Sequence, residues 1–221
     1  VTDHNHPQAT GVGPFPQNRR GRLRLSTAIA YLLPARHRPN LTIRPHCLVN
    51  RVLITGDRAV GLEIAGEGEP AQVRGRRITL AAGAIGSAAI LLRSGIGPKD
   101  ALASLGIEPV ADLPGVGASL ADHPVTRLLL VPKPGSCDPQ APLAQVVLRY
   151  TAPGSGEFND MQQVVFSHVD VAGIGGQQAV AAVGTPLAIG LPVALERPHA
   201  RGRLELASTD PRVQPLIQLD F

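Results

Sequence analysis

Over much of this chain apolar residues fall into short runs rather than a helical repeat. Residues 41–53, 59–64 and 73–80 are three such runs, separated by Thr55-Gly56-Asp57-Arg58 and by Gly66-Glu67-Gly68-Glu69-Pro70. Runs of this length bounded by Gly, Asp and Pro predict strands joined by turns, and three in succession predict a β-meander. The pattern then changes. Residues 78–82 form an apolar run ending at Gly83, and residues 87–94 carry small and branched apolar side chains closed by Gly95. Strand, glycine turn and small-residue helix predict an α/β unit. A second helix is expected over 100–105, a strand over 108–111, a sharp turn at 113–117 and a short helical segment ending at His123-Pro124.

Beyond Pro124, β-rich runs at 128–131, 144–150, 161–169, 186–195, 202–207 and 216–221 are linked by Gly-, Pro- and Asp-rich connections, including a loop expected at 172–176. This pattern predicts an antiparallel sheet, and it places a domain boundary near residue 125, dividing the chain into 1–125 and 126–221. At the other end, residues 1–22 are polar, rich in Gly and Pro and without periodicity, which predicts a long surface loop. Ser26 is placed to cap a helix reaching about residue 33, which Pro34 stops. The fold class expected is α/β (α+β).

Composition narrows the function classes. With 221 residues, 43% of them apolar, the chain can bury a core, and 24 Gly with 21 Pro and no three-residue period indicate many turns rather than a collagen-like repeat. Aromatic residues are only 3%, so stacking platforms for single-stranded nucleic acid have little material. The net charge of +4 is uneven: residues 1–77 hold 12 Arg against 5 acids, interleaved with strand-forming residues. A basic nucleic-acid-binding domain is a rival reading, disfavoured because no basic run exceeds two residues. Cys47 and Cys137 are too few for a disulfide framework and suggest buried thiols in a reducing, cytoplasmic setting. No stretch is long and apolar enough for a membrane span, and the first residues have no signal-peptide pattern. The start at Val1 and the stop at Phe221, inside a β-rich run, suggest an internal fragment.

No self-sufficient catalytic set emerges. The seven His residues include no pair at i, i+4, and His4 with His6 is at most a loop metal pair; there is no G-x-S-x-G elbow and no phosphate-binding G-x-x-x-x-G-K loop. Six G-x-G pairs occur, none completed into a dinucleotide fingerprint. The small residues Ala81 to Ala84 have two readings: close approach of a helix N-terminus to an anion, or tight packing of helix on sheet.

The recognisable motif is Ala82-Gly83-Ala84-Ile85-Gly86-Ser87 followed by Leu91-Leu92-Arg93-Ser94-Gly95-Ile96-Gly97-Pro98. It resembles the second signature of the glucose–methanol–choline (GMC) family of FAD-dependent oxidoreductases. Arg38-Pro39-Asn40-Leu41-Thr42, Val49-Asn50-Arg51-Val52-Leu53 and Arg58-Ala59-Val60-Gly61-Leu62-Glu63 match upstream, and Asp112-Leu113-Pro114-Gly115-Val116-Gly117 with Leu120, Asp122 and His123 matches downstream. Gly21, Arg24, Ser26 and Ala30-Tyr31-Leu32 match earlier in the chain; Asn159-Asp160-Met161-Gln162, Arg201-Gly202, Leu204 and Asp210-Pro211 match later. Two departures are Ala88, where the family usually has Pro, and Ser119, where it often has Asn.

The resemblance implies the later portion of a Rossmann-like FAD-binding domain with a β-meander, then the first portion of an antiparallel substrate-binding domain. It implies FAD as cofactor, a small-molecule alcohol as substrate, and oxygen or another electron acceptor, as in an alcohol or choline-like dehydrogenase or oxidase. Carried over by position, the Val49 backbone faces the adenine, Ala82 and Gly83 line the phosphate-ribose region, and Asp122 and His123 end a segment closing over the flavin side. The competing reading of His123 is a histidine hydrogen-bonded to nearby backbone. The family's glycine fingerprint and catalytic histidine belong to segments absent from this sequence, so no catalytic residue is assigned. The remaining rival is a non-catalytic binding module that keeps part of the flavin scaffold.

Overall fold

The computed structural model describes residues 3–66 and 71–221. Its main elements in chain order are β1 (Gly11–Pro14), β2 (Leu48–Thr55), β3 (Arg58–Ala65), β4 (Ala71–Arg74), α1 (Gly83–Arg93) and α2 (Lys99–Ser104). There follow β5 (Val125–Leu130), β6 (Ala144–Tyr150), β7 (Met161–Asp170), α3 (Val171–Val183), β8 (Leu187–Leu195), β9 (Arg203–Glu205) and β10 (Leu216–Gln218).

Two compact units form, and they follow strand pairing rather than chain order. One combines Thr42–Asp122 with His199–Phe221, the other Val1–Leu41 with His123–Pro198. The sequence boundary near 125 lies beside the junction at Asp122, but the linear division into 1–125 and 126–221 differs from these units at both ends. The physical reason is pairing at long range. β1 lies in the expected surface loop yet pairs antiparallel with β6, Val12 opposite Leu148. Residues 199–221 rejoin the earlier unit through the bridge between Leu120 and Gly202.

In the first unit β2, β3 and β4 form the antiparallel meander that the runs predict, in that order, with β2 at one edge. The turn expected at 66–70 falls largely on residues 67–70, outside the described residues. The strand expected through 78–82 does not form: among the described residues it has no partner, and an apolar run without a ladder cannot be a strand. The helix that follows starts earlier than expected, at Gly83, whose φ of +77° is the left-handed entry that glycine adopts without strain. Ser87 Oγ accepts from the Ala82 N–H at 3.1 Å, steadying that entry. Leu92 of α1, Leu102 of α2 and Leu204 of β9 make the core, with Ile107, Val116 and Leu206 packed around them. The helical segment expected before His123 is instead a turn and extended chain.

The second unit is a five-stranded antiparallel sheet in the order β1-β6-β7-β8-β5. Val147, Val164, Val169 and Ala188 are buried, whereas all six residues of the edge strand β5 are exposed. Residues 172–176, expected as a loop, lie within α3, which is broken only at Gly175 and Gly176, where the backbone leaves helical geometry. Cys47 and Cys137 are free and half-buried rather than buried.

Candidate functional site

A cavity of about 340 Å³ opens in the first unit between the start of β2 and one face of α1. Val49 forms part of one wall. Ala82, Gly86, Ala89 and Arg93 form another, spaced by four, three and four residues and so stacked along a single helix face. Val213 closes a third side. Ala82, Gly86 and Ala89 keep a strip of the helix wall low between the larger Ile85, Ile90 and Arg93, and a Cβ on Gly86 would meet the Ala82 Cβ at 3.0 Å. Such a wall admits the face of a flat apolar ring. At its end α1 starts without a side-chain cap, and a Cβ on Gly83 would meet nothing within 4 Å, so the first turn opens onto free space. Uncapped N–H groups at such a start suit an anion.

Of the residues singled out from the sequence, the structure brings Val49 and Ala82 to this one cavity, with Gly83 next in the chain but outside its lining. Asp122 is exposed and does not line it. His123 begins the second unit, where its Nδ1 lies 3.6 Å from Glu196 Oε2. In that unit a cavity of about 540 Å³ lies against the sheet, lined by Leu129, Phe166, His168, Ile174 and Pro192. Among the described residues no cluster of three or more His, Cys, Asp or Glu is placed to hold a metal ion, and no helix is long and apolar enough to cross a membrane.

Sequence reasoning missed a polar frame behind Val49. Glu63 of β3 is 8% exposed, and both its carboxylate oxygens are used. Oε1 accepts from Asn50 Nδ2 at 2.7 Å, while Oε2 accepts from Arg51 Nε at 3.1 Å and Nη2 at 2.9 Å. The Arg51 hydrogen bond, helped by Asn50, holds the Glu63 carboxyl below its ordinary value, against the opposing effect of burial. From α1, Arg93 Nε donates to the Asn50 carbonyl at 2.8 Å, and burial lowers the pKa of this guanidinium. Ser94 Oγ accepts from Val52 N–H at 2.8 Å and donates to the Ile90 carbonyl. An acid inside the run Ala59-Val60-Gly61-Leu62-Glu63-Ile64 was the available signal; its partners depend on a strand register that the sequence does not display.

The family model described as GMC oxidoreductase matches residues 1–125. An oxygen-dependent choline dehydrogenase of Stenotrophomonas maltophilia is 34% identical over 251 aligned positions, which take in 99% of this chain and 42% of that protein. Among solved structures, a pyridoxine 4-oxidase from Mesorbium loti superposes with a TM-score of 0.77 at 24% identity, over 95% of this chain and 41% of its own. An FAD-dependent oxidoreductase from Chaetomium thermophilum does so with a TM-score of 0.60 at 24% identity, over 84% of this chain and 42% of its own. At these identities the structures speak for the fold alone. The chain thus spans about 42% of the length of the curated relative it matches. With the matched model covering more than half of the residues and the motif glycines shaping α1 and its ends, the chain belongs to the GMC oxidoreductase family.

Proposed function

We propose that this chain is the middle part of an FAD-dependent oxidoreductase that oxidises the CH–OH group of a small alcohol to an aldehyde or ketone. The observation that carries this reading is the cavity shared by Val49 and Ala82, in a chain of the GMC family. The donor set fits the adenine half of FAD. An edge strand offers backbone N–H and C=O groups to an adenine edge without needing a specific side chain. Ala82, Gly86 and Ala89 leave room for the ring face, and the uncapped start of α1 at Gly83 suits a phosphate.

When bound, FAD supplies the two-electron acceptor at flavin N5 for the hydride leaving the alcohol carbon. The chain's own residues orient rather than react. Val49 and the α1 face hold the adenine half, the amides after Ala82 meet its phosphates, and the segment ending at Asp122 and His123 closes over the flavin side. The base that takes the hydroxyl proton lies in a segment of the whole enzyme beyond this chain, as does the glycine fingerprint for the ADP moiety.

The test is the extended reading frame. Coding sequence upstream with a G-x-G-x-x-G turn and downstream with a histidine-bearing segment is expected. The purified full-length protein is expected to be yellow and to lose its flavin absorbance when an alcohol is added without oxygen. A flavin-free protein, or a flavin that no alcohol bleaches, refutes the proposal.

A further inference from the structure

β2 does not pair with β3 in a continuous register. Val49 is opposite Ile64 and Arg51 is opposite Glu63, so Asn50 is an extra residue, a bulge. Because side chains alternate with a period of two, one extra residue flips the facing of everything before it. The bulge therefore decides which side of β2 turns toward α1 at Val49 and Leu48.

That bulge is held from two directions. Glu63 Oε1 takes the Asn50 side-chain N–H, and the other carboxylate oxygen takes Arg51, so one buried anion grips the bulge residue and the residue after it. From α1, Arg93 grips the Asn50 carbonyl and Ser94 the Val52 N–H, stitching the strand edge to the helix whose face forms the opposite wall. A bulge without these bonds could move along the strand, and each step would change which side chains face α1. Charge-assisted bonds to a buried carboxylate are stronger than neutral ones and specify the register.

We infer that Glu63 is a positioning residue of the cofactor site, acting through Asn50 to set the bulge that presents Val49 to the adenine half of FAD. This rests on the functional reading above. In the Glu63→Gln variant the negative charge is lost and one carboxylate oxygen becomes an N–H donor, so the charge-assisted grip is reduced to neutral hydrogen bonds at most. The experiment strips the full-length enzyme of flavin and titrates it with FAD and with FMN, which lacks the adenylate half, at neutral pH where circular dichroism shows both proteins folded.

Glu63→Gln is expected to weaken FAD by about tenfold, the worth of one charge-assisted hydrogen bond, while FMN changes by less than about twofold. Unchanged FAD affinity, or equal weakening of FAD and FMN, overturns the inference, because a merely structural loss would not distinguish the two flavins. A second variant, Val213→Trp, fills the cavity from its third side without altering any residue of the polar frame. If it leaves FAD affinity intact, the adenine reading of the cavity fails and the inference with it. If it abolishes FAD binding while Glu63→Gln does nothing, only the role of Glu63 is refuted.

Discussion

Gly95 and Gly106 make a matched pair for testing how the fold uses its glycines. Each follows the residue that caps a helix C-terminus, Ser94 for α1 and Leu105 for α2, and each has a left-handed backbone, with φ of +80° and +71°. Their surroundings differ. A Cβ on Gly106 would meet nothing within 4 Å, whereas one on Gly95 would lie 2.5 Å from the Glu108 carbonyl oxygen and 3.0 Å from Val110 Cγ2. Gly95 also accepts from the Val110 N–H at 2.7 Å, the contact that brings the following segment back against α1. Gly106→Ala therefore adds only the left-handed strain, about 1 kcal/mol after the gain from a stiffer unfolded chain. Gly95→Ala adds the same strain, the weakening of one backbone bond at about 1 kcal/mol, and crowding of about 1–2 kcal/mol, roughly 3–4 kcal/mol in all. Denaturant unfolding of the two variants, compared at equal slope, reads the difference directly. The expected gap is about 2–3 kcal/mol. Equal costs within about 0.5 kcal/mol would show that crowding at Gly95 relaxes freely, and the close-approach argument would be wrong.

Two further outcomes follow from the same geometry. Glu63 has its folded pKa lowered, so its contribution to stability is fully present above the ordinary value of 4.5 and lost as the pH falls through the lowered value. Thermal unfolding followed from neutral pH downward is expected to show a shallower acid limb in Glu63→Gln than in the unaltered protein, and parallel limbs would refute the assignment. The 221-residue chain expressed alone is expected to bind FAD poorly, take up a hydrophobic dye and self-associate, because β5 exposes Val125, Leu128, Leu129 and Leu130 on an unpaired edge. Sedimentation showing a dye-free monomer with tightly held flavin would contradict this.

What the sequence determined by itself was local grammar and family. Turn residues such as Gly56 and Asp57 between two apolar runs suffice to make the hairpin of β2 and β3, and Gly95 suffices to end α1, because each needs only its own neighbours in the chain. The motif around Gly83 and Gly97 carried the family assignment, and it led to Val49 and Ala82 as one candidate site. Partnership was not legible. Residues 78–82 read as a strand but have no ladder among the described residues, while Gly11–Pro14 read as loop and found one in β6. The helix over 171–183 was hidden by glycines that, as loop formers, outweighed the flanking apolar residues. The bulge at Asn50 and its hold by Glu63 and Arg93 depend on which residue lies opposite, and a one-residue shift of register leaves the apolar pattern unchanged while reversing every facing. Periodicity and turns are properties of neighbouring residues. The site's wall is a property of residues more than thirty apart, and only the folded chain could place them together.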